Sequence, residues 1–545
     1  MAEPQGRSTC LAVSSGRVLV VGALVLGVTS FLEAVRRAAR RAAARRASPG
    51  EAVPMAGGWL PVLGHVFRLF RYGAGNAGFG MGRFALDVLE QEGLRVFCGD
   101  YFGYRMVSVA DTALVEEVSN GEPDRFTKDF LKFSPGADLL LESFGRGLFI
   151  AGTEDPEWYV AHRILRAPFS SRGVKSMLPL MCQQADELVK ALRRDVGHGG
   201  SLYIDTWVTK MALETIAVCG LGTSLGCFES SEKPPLVVCL DKVIRGLMTL
   251  SRCPRLLRPF FMPIRTFEFC RESRRLRQYC LELIEQRASR TAEDSRKDLL
   301  DAMLLDSDPK SGRKMTHDMV TDNVLTFLFA GQDSTAAAMA SCLCYLCSQP
   351  DCKAKLVQEI DEVLGRDALQ WSHLGQMPYL DCCIKETLRL VPPAQGYLRY
   401  ARGDQLLGKK WRIPDGTPVV VNVMAINYDP SIWGEDAEVF RPERWQQAPQ
   451  EKCAFIPFAV GPRACTGREF SVLEQKVTLV KLLQHFDFER PADVQKTPGY
   501  NTVKPGEMKY PPFINMEVEM KQDISLGELA PVGPILHTRV VCTLR

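Results

Sequence analysis

The chain has 545 residues, 46% of them hydrophobic and 24% charged, with 67 Lys and Arg against 64 Asp and Glu. That length is enough for a large core, and a formal charge of +3 gives no basic excess of the kind nucleic-acid binding requires. The 18 cysteines follow no repeating spacing and no disulfide framework, so most read as reduced core residues on the cytosolic side of a membrane.

In chain order, the first feature is Val18 to Leu32, VLVVGALVLGVTSFL, uncharged and mostly apolar. It is slightly short against the roughly 17–25 residues of a spanning helix, and snorkelling flanks can make up the difference. Val35 to Arg46 follows with six arginines and no acid, which the positive-inside rule keeps in the cytosol. A retained signal-anchor in the endoplasmic reticulum with the body facing the cytosol is the first reading. A mitochondrial presequence is the second, and a cleaved secretory signal is the last because the basic block lies on the wrong side. The chain then divides into an N-terminal membrane anchor (1–34), a basic and Pro/Gly-rich linker (35–56), one large domain (57–521) and a C-terminal tail without a motif (522–545).

The large domain patterns as mostly α-helix with small β-sheets. Strand-like runs are few, at Arg95 to Val109 and Trp411 to Val423. Thr316 is a candidate N-cap, with Asp318 suited to the helix dipole, for a helix that stops before Pro350. At about 33 residues it spans on the order of 50 Å. A second helix starts near Ser348–Pro350 and ends at Gly365. A third runs from Pro378 to about Leu390, stopped by Pro392 and Pro393.

The stretch FAVGPRACTG, Phe458 to Gly467, sets Cys465 between two glycines with Arg463 two residues before it. Glycines permit positive φ and close approach, and a helix pattern begins at Ser471, whose dipole would favour a thiolate. A cysteine nucleophile would want a histidine base, and none of the 7 histidines lies near this loop in sequence. A zinc site would want more Cys or His at short spacing. What remains is an iron whose other ligands come from a porphyrin, held by one thiolate that pushes electron density onto it.

These ten residues match the F-x-x-G-x-R-x-C-x-G signature of the cytochrome P-450 haem-thiolate monooxygenases, and the chain from Gly57 to Lys521 resembles that family. The resemblance implies the cytochrome P-450 fold with haem b (iron protoporphyrin IX) bound through Cys465, and Phe458 as a flat wall beside it. KETLRL and FRPERW imply a buried structural ion network of Glu386, Arg389 and Arg444. AGQDST resembles the oxygen-activation segment: Ala330 lines the pocket, Gly331 gives room for dioxygen, Asp333 relays protons and Ser334 supplies the orienting hydroxyl where threonine is usual. EWYVAHR and YLRYARGD imply Trp158, His162 and Arg399, with Arg463, as contacts to the two haem propionates.

GRGLFIAG, SIWGEDAEVFRPERW and LLQHFDFE look closest to the haem domains of self-sufficient bacterial fatty-acid hydroxylases, which makes Phe149 a gate against substrate. The residues after Cys465 are too few for a fused flavin reductase. The resemblance therefore implies a monomer that takes NADPH-derived electrons from a separate membrane-bound cytochrome P-450 reductase, or from a ferredoxin if mitochondrial. The carboxylate anchors of those hydroxylases match Tyr104 and Ser108 only loosely, with Arg105 next door. A fatty acid leads as substrate and a sterol is the rival. A haem-thiolate isomerase or dehydratase of lipid hydroperoxides, needing no reductase, is the alternative chemistry, against which the retained Asp333 and Ser334 weigh.

Overall fold

The computed structural model describes residues 50–489, short internal stretches such as 69–79, 130–135 and 290–297 excepted, and residues 539–544. Thr316 caps the long helix as its spacing predicts: its hydroxyl accepts from the Met319 N–H, and the helix runs His317–Ser348. It is buried from Met319 to Val320 and Asn323 to Leu328, and again from Thr335 to Leu343. A helix apolar on all sides is one that threads a core, and the helices Ile204–Thr215, Pro263–Ala288 and Arg468–His485 pack around it. The second predicted helix is Pro350–Val363, and the third is Pro378–Leu390.

The strands, in chain order, are β1 (Glu51–Ala52), β2 (Val96–Tyr101), β3 (Tyr104–Val109), β4 (Phe126–Thr127), β5 (Gly200–Tyr203), β6 (Gly396–Ala401), β7 (Gln405–Leu407), β8 (Trp411–Ile413), β9 (Pro418–Asn422), β10 (Phe486–Glu489) and β11 (Arg539–Leu544). They form one five-stranded sheet, β2-β3-β9-β6-β4, and two three-stranded sheets, β1-β8-β7 and β10-β11-β5. The run Arg95 to Val109 is therefore not one strand but the antiparallel hairpin β2–β3. The run Trp411 to Val423 breaks into β8 and β9 at a turn where Gly416 takes φ 68°. Within the motif-free tail, β11 lies between β10 and β5.

The cysteines from Cys98 to Cys465 are free thiols. No helix among the described residues is long and apolar enough to cross a membrane. The proposed anchor Val18–Leu32 and the basic run Val35–Arg46 lie outside the described residues.

Candidate active site

The burial of the central helix lapses at its middle. Ala330 and Ser334 are exposed while Gln332 and Thr335 are buried, and residues four apart share one helical face. Ser334 Oγ donates back to the Ala330 carbonyl at 2.8 Å. Thr335 turns away and shares a 2.9 Å hydrogen bond with Ser471 of the Arg468–His485 helix. Asp333 is half-buried, and burial together with Asp241 raises its carboxyl above the ordinary range.

A Cβ at Gly331 would meet Ile216 at 3.3 Å, so this glycine also serves close packing against the turn after the Ile204–Thr215 helix.

Cys465 is exposed. Its N–H donates to the Phe458 carbonyl at 2.8 Å, which closes the loop between them, and Phe458 packs partly buried against the main core. Gly461 carries the left-handed turn at φ 82°. A Cβ there would come 2.4 Å from the Ser119 carbonyl, so only glycine fits. Gly467 is different: with φ −83° it is the residue before the helix Arg468–His485, and it contributes an N–H to the Cys465 side chain.

The expected dipole-stabilised thiolate is not the outcome for the loop alone. Part of the residue meets solvent, but the protein packed around the thiol desolvates it and raises its pKa, against smaller lowering effects of the Gly467 N–H and Arg468. A bound metal cation is what would deprotonate this sulfur.

Aromatic rings join the helix after the loop to the central helix. Phe169 lies 5.4 Å from Phe327 of the central helix and 6.3 Å from Phe470 of the helix after the loop, between ring centroids. Phe149 is 43% exposed, and its ring is 5.9 Å from that of Phe329, the neighbour of Ala330. Phe149 thus lies against the stretch of the central helix that carries Ala330.

A cluster of charges gathers around Arg463. Arg463 sits 3.6 Å above the Trp158 ring and donates to the carbonyls of Ala151 and Gly152 at 3.1 and 2.7 Å. Trp158 and His162, one turn apart on the helix Pro156–Leu165, stack at 4.6 Å. Burial, and then Arg463, hold His162 below its ordinary pKa, which keeps it neutral at pH 7.

Sequence reasoning missed Glu122. This buried carboxylate pairs with Arg463 Nε at 2.9 Å and with Arg399 Nε at 3.4 Å, and accepts from Thr153 at 2.6 Å. It also missed Lys128, whose ammonium lies 5.1 Å from the Phe149 ring centroid. Burial, Arg463 and Arg399 bring Lys128 from 10.5 down to about 7.

A lysine pKa lowered by folding has a definite signature. Unfolding takes up a proton between about pH 7 and pH 10, so the haem-free protein gains stability as pH rises through that window, and the penalty is full below it. Urea midpoints at pH 6 and pH 9 should differ by less in Lys128→Met than in the natural chain. An equal difference would contradict the burial of this ammonium.

These residues fit a haem. Arg399 is 2% exposed, yet its Nε and one terminal nitrogen find no hydrogen-bond acceptor, and a buried guanidinium is costly without one. An anion beside it would satisfy it, and Cys465, on the loop that carries Arg463, would be a single protein ligand for the iron.

The Glu386 network stands apart from these charges and is complete. Glu386 accepts from Arg389 at 2.8 and 3.0 Å, from Arg444 Nε at 2.8 Å and from Trp445 Nε1 at 3.0 Å. Arg389 also holds the carbonyls of Asn427 and Ala437, which pins the chain before Pro442. The substrate-carboxylate segment gives less. Arg105 is engaged by Asp100 at 2.7 Å across the β2–β3 hairpin, and Ser108 is buried.

The family model for cytochrome P450 matches residues 55–512. The bifunctional cytochrome P450/NADPH–P450 reductase ALT2 of Alternaria alternata is 30% identical over 398 residues, 72% of this chain and 35% of that protein. The self-sufficient cytochrome P450 monooxygenase CYP505E3 of Phanerodontia chrysosporium is 31% identical over 436 residues, 79% of this chain and 39% of that one. The bifunctional cytochrome P450/NADPH–P450 reductase 2 of Bacillus subtilis (strain 168) is 30% identical over 417 residues, 76% and 39%. This chain spans less than half the length of those relatives. A solved structure, that of the cytochrome P450DA heme domain, superposes with a TM-score of 0.73 at 26% identity, covering 82% of this chain and 94% of that one. Loop, fold and likeness agree, and the chain belongs to the cytochrome P450 family.

Proposed function

We propose that this chain is a haem-thiolate monooxygenase that inserts one oxygen atom of O2 into a C–H bond of a hydrophobic, lipid-like substrate, a fatty acid before a sterol. The observation that carries this reading is Cys465, exposed on the loop whose Arg463 shares Glu122 with Arg399, a buried guanidinium with two nitrogens that make no hydrogen bond. Haem, when bound, supplies dioxygen activation and C–H oxidation.

The chain's own residues supply the rest. Cys465 would hold the iron. Trp158, His162, Arg399 and Arg463 would seat the propionates, Phe458 would wall the porphyrin, and Phe149 and Ala330 would bound the substrate space. Asp333, held above the ordinary carboxyl range, holds and passes protons, and Ser334 offers a hydroxyl on the exposed face. Retention of this acid–alcohol pair disfavours the hydroperoxide isomerase or dehydratase. Long-chain fatty acids should shift the haem absorption of the purified protein and sterols should leave it unmoved. The reverse pattern would overturn the substrate order.

Serine lacks the methyl that fixes the threonine rotamer, and here its hydroxyl bonds to the helix carbonyl. Ser334→Thr is expected to lower hydrogen peroxide formed per NADPH consumed, and an unchanged ratio would contradict the role given to residue 334.

We place the NADPH-dependent reductase on a separate polypeptide, whereas the named relatives join both functions. NADPH oxidation by this chain without added reductase would contradict that placement.

We also place the protein on the cytosolic face of the endoplasmic reticulum membrane, with the alternative of the mitochondrion. Support comes from the tip between the helices Pro235–Leu250 and Pro263–Ala288, where Phe260, Ile264 and Phe267 are 77%, 72% and 68% exposed. The side chains of Arg255 and Arg274 near by are largely exposed, with long ion pairs to Asp138 at 3.7 Å and Glu142 at 3.9 Å. Aromatic tips flanked by arginine suit an anionic phospholipid surface. Phe260→Asp with Phe267→Asp is expected to cut cosedimentation with phosphatidylserine vesicles about tenfold, and unchanged binding would remove this face from the membrane.

A further inference from the structure

Two arginines, Arg399 and Arg463, meet at one carboxylate, Glu122, and the Lys128 ammonium lies near by over the Phe149 ring. They come from distant parts of the chain. β4, just before Lys128, pairs with β6 so that Thr127 faces Tyr400, next to Arg399. The Lys128 N–H donates to Thr153 Oγ1 at 2.7 Å, and the same hydroxyl donates to Glu122. Glu122 then holds both arginines. Other acids nearby are engaged elsewhere: Asp308 with Arg163, Glu154 with Arg402, while Asp129 lies against Gly152.

As a stabilising device alone this cluster is poor. The Arg399–Glu122 pair lies at 3.4 Å, and Glu122 Oε2 and two Arg399 nitrogens make no hydrogen bond. Buried ion pairs so incompletely satisfied do not repay their desolvation. The cluster is complete only when an anion joins it.

We propose that Glu122 is a positioning residue of the haem cradle: it holds Arg399 and Arg463 in place and, with Lys128 protonated, trims three cations to two net positive charges, matching the two propionates of haem. This inference rests on the haem reading of these residues. It assigns Glu122 no contact with the cofactor, only the charge and geometry of the groups that make it.

The test uses the purified holoprotein and its ferric/ferrous midpoint potential, a readout that a merely structural role would not move. Glu122→Gln keeps the shape and the Thr153 hydrogen bond but leaves a third net positive charge, so the potential is expected to shift positive. Haem should also pass to apomyoglobin about tenfold faster, because the arginines lose their common anchor. Lys128→Met leaves one net charge and is expected to shift the potential negative. The double variant restores two and should return towards the natural value.

A Glu122→Gln potential equal to the natural one, or a double variant that fails to return, would overturn the inference. If Glu122→Gln does not fold, Lys128→Met alone decides by the sign of its shift. A natural protein with no haem absorption band would instead sink the haem reading itself, so the two failures are distinguishable.

Discussion

Glu386→Ala is expected to destabilise the protein by about 3–5 kcal/mol, the cost of leaving a buried charge without its partner. Glu386 and Arg389 are 0% exposed and Arg444 is 6% exposed. The lost carboxylate accepts from both guanidinia, from the Trp445 indole and from the Arg441 N–H at 3.0 Å. Its removal leaves Arg389 without a carboxylate and Arg444 with Asp436 alone, at 3.2 Å, and domains are stable by only about 5–15 kcal/mol. The surface pair Lys190–Glu187 at 2.7 Å, with both side chains well exposed, is the control, because exposed pairs contribute about 0–1 kcal/mol. Urea unfolding of Glu386→Ala and Glu187→Ala should separate them clearly. A Glu386→Ala loss below about 1 kcal/mol, against the 3–5 expected for a buried pair, would mean that this network does not hold the fold.

Cys465→Ser is expected to lower substrate oxidation by at least about 100-fold, since even neighbours of metal ligands are worth 10–100-fold. A serine hydroxyl does not ionise as a thiol does, so it withholds the electron density that favours O–O cleavage. The same variant should still take up haem in part, because Arg399, Arg463 and Trp158 seat the propionates from other segments of the chain. Turnover and haem content should therefore fall by different factors. Equal turnover per haem in Cys465→Ser and the natural chain would contradict the ligand assignment.

What was legible in the sequence was local. The cap at Thr316, the proline starts at Pro350 and Pro378 and the stop before Pro392 each act within a turn of the residue that carries them, and the structure places those helices where the signals fall. The loop from Phe458 to Cys465 was legible for the same reason, its closing hydrogen bond spanning seven residues. Glu122 was not. It meets Arg463 across 341 residues of chain, and nothing in GEPDRF marks a buried counter-ion.

Gly467 was seen, but its reason was not, and the packing of Gly331 against Ile216 was not seen. Whether a glycine serves a positive φ, a close helix or a free N–H depends on neighbours brought in by folding. The Arg95 to Val109 run shows the opposite limit. Its apolar pattern marks strand, while the hairpin that divides it depends on which strand lies opposite.

The most direct measurement is the absorption spectrum of the purified, dithionite-reduced protein under carbon monoxide. Thiolate ligation by Cys465 predicts a strongly red-shifted Soret band in the natural protein and its disappearance in Cys465→His, where an imidazole would face the iron. A natural protein that stays colourless with ample haem supply, or a Cys465→His variant that keeps the same red-shifted band, would contradict the assignment of this sulfur to the iron.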